Sequence, residues 1–173
     1  MIDEAVLKRL GRVAWIFPDN FDADMIVGYE NITETDADKL AKICMSNFDP
    51  KFLEYVKPGD IIVAGKNFGY GHPHTQPLIA LQKLGINCII AETFFPAFFR
   101  NSISFGILSI ECDNITKEVN RWDELEVDAV SAEIRNLTTG KILRAKHLPK
   151  VVLEIISKGN LVSYLLEKCR QVT

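Results

Sequence analysis

Two of the three histidines in this 173-residue chain, His72 and His74, lie in the stretch N-F-G-Y-G-H-P-H-T-Q-P, residues 67–77. An imidazole changes charge near neutral pH, so the pair could transfer protons or contact an anion. Gly69 and Gly71 would let the backbone approach a ligand closely. The stretch therefore predicts a loop that handles a substrate, although Gly-rich turns of this kind also serve as ordinary connections.

A metal site is a second interpretation of the His-x-His pair. Two ligands are too few for a closed site, and the chain has one other histidine, His147. Iron–sulfur motifs bring cysteines close together in sequence, whereas the four cysteines here are widely separated, at Cys44, Cys88, Cys112 and Cys169. We therefore expect that this chain alone binds no metal and no cluster.

A second candidate stretch is P-D-N-F-D-A-D-M-I, residues 18–26, with Asp19, Asp22 and Asp24. Its carboxylates could bind a cation or accept hydrogen bonds from a substrate. It lacks the glycine and the distal glutamate of a calcium loop. The alternative is a solvated turn that caps a helix.

Strands that alternate with short helices must position these two stretches. An apolar strand is predicted before each stretch, at 11–17 and at 60–65, and a helix at 77–85 follows the histidines, with Thr75 or Gln76 as its N-cap. The pattern continues with a strand at 87–93, a helix at 96–106 and a strand at 107–112. It predicts a largely parallel α/β sheet, in which ligands collect beyond the carboxyl ends of the strands.

The C-terminal third has a different pattern. Residues 125–148 alternate with period two across a turn at 138–140, which predicts a β-hairpin. Residues 149–169 predict one or two closing helices with Gly159 between them. We expect one α/β domain over residues 1–173 with a β-hairpin flank.

Composition excludes several classes of function. The formal charge of −3 provides no basic surface for nucleic acid. No segment approaches the roughly 18–20 apolar residues of a membrane helix. The N-terminus, M-I-D-E-A-V-L-K-R-L-G-R, lacks the apolar core of a signal peptide. A cytoplasmic location is therefore expected.

Nearly the whole chain resembles a known family. The stretches G-R-V-A-W-I-F-P-D-N-F-D-A-D-M-I-V, D-I-I-V-A-G-K-N-F-G-Y-G and G-I-N-C-I-I-A-E-T-F-F-P-A-F-F-R-N-S-I-S-F-G are similar to the small subunit of 3-isopropylmalate dehydratase, in the aconitase superfamily. The resemblance implies a swivelling β/β/α domain that closes over a large subunit. It places a 4Fe–4S cluster on that subunit, and it implies reversible dehydration and rehydration of a 2-hydroxy di- or tricarboxylic acid.

The resemblance also assigns roles to residues. The family signature G-x-N-F-G-x-G-S-S-R-E-H places its serines at His72 and Pro73 and its arginine at His74, with Thr75-Gln76 in place of E-H. It implies that His72 is the base that removes the α-proton. The implied substrate contacts are Asp24, Tyr29, Asn67, Gly69, Gly71 and His74. A non-catalytic paralogue that keeps the fold and the partner interface is the alternative. Whether the isolated chain forms a homo-oligomer stays open.

Overall fold

The computed structural model describes residues 4–72 and 74–170, so Pro73 lies outside the described residues. Within these ranges a seven-stranded sheet has the order β4-β3-β2-β1-β5-β6-β7. Its strands are β1 (Lys8–Phe17), β2 (Ile61–Ala64), β3 (Cys88–Ala91), β4 (Leu108–Glu111), β5 (Glu124–Asp128), β6 (Glu133–Asn136) and β7 (Ile142–Arg144). The helices are α1 (Ala37–Ile43), α2 (Phe52–Tyr55), α3 (Gln76–Lys83), α4 (Pro96–Ser104), α5 (Ile115–Glu118), α6 (Lys150–Ser157) and α7 (Leu161–Arg170).

Strands β1 to β4 form the parallel half of the sheet. Strands β2 and β3 read I-I-V-A and C-I-I-A, and all their residues are buried. Parallel strands need cover on both faces, and two apolar clusters supply it. The alternating strands and helices predicted for residues 60–112 are confirmed.

Strand β1 pairs parallel with β2 on one side and antiparallel with β5 on the other. Its register shifts between Val13 and Trp15. The Arg121 side chain donates from Nε to the Ala14 carbonyl at 3.1 Å, and the Trp122 N–H donates to the Val13 carbonyl at 2.8 Å. The irregularity therefore lets the segment before β5 satisfy backbone groups of β1.

The antiparallel half contains three strands where the sequence predicted one hairpin. The predicted turn at 138–140 is confirmed between β6 and β7, with Gly140 at φ 76°. A further turn joins β5 to β6 at residues 129–132. The Asp128 carboxylate closes it by accepting the N–H groups of Val130 and Ser131 at 2.9 and 3.1 Å.

Helix ends agree with the predicted signals in part. Thr75 is the N-cap of α3, and Gly159 lies between α6 and α7, as predicted. Asp36 is the N-cap of α1, and its carboxylate accepts the N–H groups of Asp38 and Lys39. In the described part of the chain, no helix is both long and apolar enough to cross a membrane.

Candidate active site

The two stretches singled out in the sequence lie together at the carboxyl edge of the parallel half. The backbone N–H of Lys66, after β2, donates to Oδ1 of Asp19, after β1, at 2.7 Å. The Asn20 N–H donates to the Lys66 carbonyl at 2.7 Å, and the Gly69 N–H donates to the Phe21 carbonyl at 2.9 Å. The loops after β1 and β2 therefore form one surface, as the position of parallel strand ends predicts.

Asp24 and His74 form the central pair of this surface. The imidazole Nδ1 of His74 lies 2.6 Å from Oδ2 of Asp24, and its backbone N–H donates to Oδ1 at 3.1 Å. The Asp24 side chain is 3% exposed and that of His74 is 41% exposed. Because a carboxylate accepts hydrogen bonds, the tautomer of His74 that fits this contact has its proton on Nδ1. Its Nε2 is then available to a substrate. A buried carboxylate behind an imidazole is the arrangement that orients general bases in hydrolases.

Asp22 organises the same loop from one side. Its Oδ1 accepts the Asp24 N–H at 3.0 Å, and its Oδ2 accepts the Tyr29 hydroxyl at 2.9 Å. This hydrogen bond raises the pKa of Tyr29, so the phenol stays protonated. Gly71 has φ 104°, and a Cβ there would meet Asp22 Oδ2 at 2.8 Å. Glycine is therefore required where the histidine loop passes the aspartate.

Asn67 and Gly69 hold the start of the histidine loop. The Asn67 N–H donates to the Thr93 hydroxyl at 2.8 Å, and its Nδ2 donates to Oδ1 of Asn20 at 2.9 Å. The Asn67 amide is thus already engaged in joining loops. Gly69 has φ 82°, and a Cβ there would come within 2.2 Å of the Phe98 ring. The glycine therefore lets the loop lie directly on a buried aromatic ring.

The remaining histidines have different surroundings. His72 is exposed, and no described residue lies within hydrogen-bond distance of its ring. His147 lines a separate cavity beyond β3 and β4. No group of three potential metal ligands occurs among the residues that the structure describes.

The cysteines are unsuited to holding a cluster. Burial raises the pKa of Cys44 and Cys88 to about 12 and that of Cys112 to about 11, so these thiols stay protonated. Cys169 is exposed on α7. The described residues of this chain therefore do not fit an iron–sulfur cluster.

Thr93 was not singled out in the sequence, and the loop contacts of Asp22 and Gln76 were not predicted. Asp22 and Thr93 fix the loops, and the Gln76 side chain donates from Nε2 to the Glu34 carbonyl at 3.1 Å. The last bond ties the start of α3 to the loop after β1. Thr93 follows β3 directly, so the rule that sites lie beyond strand ends could have found it.

Known proteins are similar to this chain over most of its length. The family model of the aconitase C-terminal domain matches residues 20–115. The isopropylmalate/citramalate isomerase small subunit of Methanocaldococcus jannaschii is 45% identical over 158 residues, which cover 91% of this chain and 94% of that protein. The 3-isopropylmalate dehydratase small subunit of Caldicellulosiruptor bescii is 38% identical, covering 85% of this chain and 89% of that protein.

A solved structure extends the comparison to the fold. The crystal structure of 3-isopropylmalate dehydratase from Methanocaldococcus jannaschii superposes with a TM-score of 0.87 at 33% identity, covering 95% of this chain and 97% of that one. The chain belongs to the aconitase C-terminal domain family and, within it, to the small subunits of 3-isopropylmalate dehydratase, which are components of hydro-lyases. The family and the fold predicted from the sequence are thereby confirmed.

Proposed function

We propose that this chain is the small subunit of a heteromeric hydro-lyase that reversibly dehydrates and rehydrates a 2-hydroxy di- or tricarboxylic acid. The Asp24–His74 pair carries the proposal, because it places an oriented imidazole in the loop that holds the family signature. The names of the relatives favour isopropylmalate or citramalate as substrates. A cytoplasmic location is part of the proposal.

The proposal includes a large subunit as partner. The relatives are named small subunits, and the family resemblance assigns the 4Fe–4S cluster to the other chain. There the cluster would act as a Lewis acid on the substrate hydroxyl and carboxylate. The residues of this chain would supply proton transfer and anchoring of the second carboxylate.

Two assignments of these roles are open to test. The family resemblance assigns proton removal to His72 and carboxylate binding to His74. The geometry favours the exchanged assignment, because His74 is oriented by a buried carboxylate whereas His72 is exposed and has no described partner. An oriented imidazole suits a base, and an exposed one suits monodentate contact with an anion.

Steady-state kinetics of the reconstituted complex separate the assignments. Loss of the base lowers kcat by about 10²–10⁴-fold. Loss of an anchor mainly raises KM. We expect the kcat effect in His74→Ala and the KM effect in His72→Ala, with Lys117→Ala, at an exposed position on α5, as the control outside the site.

If His72→Ala lowers kcat and His74→Ala raises KM, then His72 is the base, as the family resemblance implies. Unchanged kinetics in both variants would overturn the site. The folding of each variant is checked by its unfolding transition, because His74→Ala leaves the buried Asp24 carboxylate without its imidazole partner.

A non-catalytic paralogue is the second candidate, since the serine and arginine of the family signature are absent here. It predicts that the chain still binds the large subunit but that the complex does not hydrate any 2-substituted maleate offered. Measured turnover that requires His74 would exclude it.

A further inference from the structure

A cavity lies at the carboxyl edge of the parallel half, beyond β3 and β4 and apart from the Asp24–His74 pair. Its volume is about 380 Å³, within the range typical of small-molecule sites. Phe94, Phe99 and Leu148 form much of its apolar wall. No residue of the candidate active site lines it. The cavity therefore offers an independent place for a ligand with an apolar body.

The charged groups around the cavity are unevenly paired. Glu111 is fully engaged, because its Oε2 accepts from Lys146 Nζ at 2.9 Å and its Oε1 accepts the Phe94 N–H at 3.1 Å. The hydrogen bond to Glu111 raises the pKa of Lys146, which keeps the Lys146 ammonium charged. Lys146 and Glu111 thus neutralise each other on one side of the cavity.

Arg100 and His147 differ from that pair. Arg100 and His147 are both exposed at the cavity, and no ion pair among the residues that the structure describes includes either side chain. Other arginines of the chain do have acceptors: Arg12 is paired with Asp60, and Arg135 with Glu133. A guanidinium offers two parallel donors to a carboxylate. The cavity therefore has one cationic side without a counter-charge.

We infer that this cavity binds an amphipathic monocarboxylate. The carboxylate head lies between Arg100 and His147, and the hydrocarbon body packs on Phe94, Phe99 and Leu148. A dicarboxylate fits less well, because the remaining cation of the lining, Lys146, already has Glu111 as its partner. The ligand class therefore differs from the di- and tricarboxylic acids proposed for the other site.

The cavity wall is joined to the histidine loop. Phe94 and Phe68 form an isolated parallel bridge, with the Phe68 N–H donating to the Thr93 carbonyl at 3.0 Å and the Phe95 N–H donating to the Phe68 carbonyl at 2.8 Å. Phe68 directly precedes Gly69. A ligand that packs on Phe94 therefore contacts the segment that holds the histidine loop in place.

Titration of the full chain, followed by amide NMR, tests the inference with three six-carbon probes: hexanoate, hexan-1-ol and hexylammonium. Hexanoate is expected to saturate shifts of residues 94–100 and 146–149 and to bind at least about tenfold more tightly than hexan-1-ol, the difference expected for charge-assisted hydrogen bonds. Hexylammonium is expected to bind more weakly than either. Equal affinity for hexanoate and hexan-1-ol would overturn the carboxylate assignment.

A matched pair of variants tests whether the Arg100 guanidinium binds the carboxylate of hexanoate. Arg100→Gln is expected to weaken hexanoate binding about tenfold and to leave hexan-1-ol unaffected. Lys117→Gln removes an exposed cation on α5 and is expected to change neither. Equal effects of the two variants, or hexanoate shifts centred on residues 67–76, would refute the site. The measurement needs no large subunit and no turnover, so it is independent of the proposed hydro-lyase activity.

Discussion

The parallel and antiparallel halves of the sheet share β1 but differ in what they position. The parallel half brings together the loops after three strands, with Asp24, His74 and Thr93 at one edge. The antiparallel half carries exposed ion pairs such as those of Arg135 and Arg144 with Glu133. Surface pairs of this kind contribute about 0–1 kcal/mol each.

The difference follows from strand direction. Parallel strands all end at the same edge, so segments distant in sequence meet there, as Asp24 and His74 do. The antiparallel strands β5, β6 and β7 form a meander, in which the ends of successive strands lie at opposite edges of the sheet. Each turn therefore contacts mainly the two strands that it joins. We therefore expect substitutions in the parallel edge to affect both folding and activity, and substitutions in the meander to affect folding alone.

The largest effect on stability is expected from Gly69→Ala, at the carboxyl edge of the parallel half. The new Cβ would overlap the buried Phe98 ring, which Phe68 and Phe94 enclose, and alanine is strained at φ 82°. Overpacking and backbone strain together cost roughly 3 kcal/mol. Urea unfolding measures the loss, and activity of the reconstituted complex should fall with it.

Gly140→Ala in the turn of the meander is the matched control. Its φ of 76° is similarly unfavourable for alanine, but nothing lies within 4 Å of the added Cβ. The expected cost is about 1 kcal/mol from backbone strain alone, with unchanged activity. Equal losses of unfolding free energy in Gly69→Ala and Gly140→Ala would contradict the difference expected between the two halves of the sheet.

A loss of about 2 kcal/mol is expected for Asn136→Ala in the meander. Asn136 is 1% exposed, its Nδ2 donates to Asp123 Oδ2 at 2.7 Å, and its Oδ1 accepts the Thr138 and Thr139 N–H groups. Removing the amide leaves buried polar groups unpaired. Thermal unfolding gives the stability, and turnover per folded molecule should equal that of the wild type.

Thr139→Ala, at an exposed position of the same turn, is the control for Asn136→Ala and should change stability by less than about 0.5 kcal/mol. A fall in turnover per folded molecule with Asn136→Ala would show that the meander contributes to the site after all.

The smallest effect is expected from Asp49→Asn, in the segment between α1 and α2. The Tyr55 hydroxyl, which donates to Asp49 at 2.5 Å, holds the pKa of that carboxyl below its ordinary value of about 3.9. A lowered folded-state pKa adds stability above pH 4, and this stability is lost as the pH falls further. Wild type should therefore lose stability more steeply than Asp49→Asn below about pH 4. Identical acid transitions by circular dichroism would contradict this.

Local sequence patterns predicted many of the strands and helices of this fold. Short apolar runs predicted β2 and β3, and the helix predicted at 77–85 is present as α3, which Gly85 follows with φ 79°. The turn between β5 and β6 was missed because it contains no Gly, Asn or Pro. Ala132 adopts φ 55° there, and the Asp128 carboxylate organises the turn through side-chain hydrogen bonds.

The residues of the candidate site could be proposed from the sequence, but the contacts between them could not. His72, His74 and Asp24 were found from residue type, loop position and family resemblance. The bond between Asp24 and His74 joins residues 50 positions apart, and no spacing rule encodes it. It depends on the adjacency of β1 and β2, which places their following loops side by side.

The double pairing of β1 also has a consequence for the order of folding. During synthesis β1 is made before the other strands of the sheet, and its parallel neighbour β2 is the next strand to follow. Its antiparallel neighbour comes much later, since Lys8 pairs with Asp128. Until then one side of the nascent strand has no sheet partner and is open to other strands. The strand that holds both halves together is therefore made before the other strands but gains its second neighbour only after the parallel half has been made.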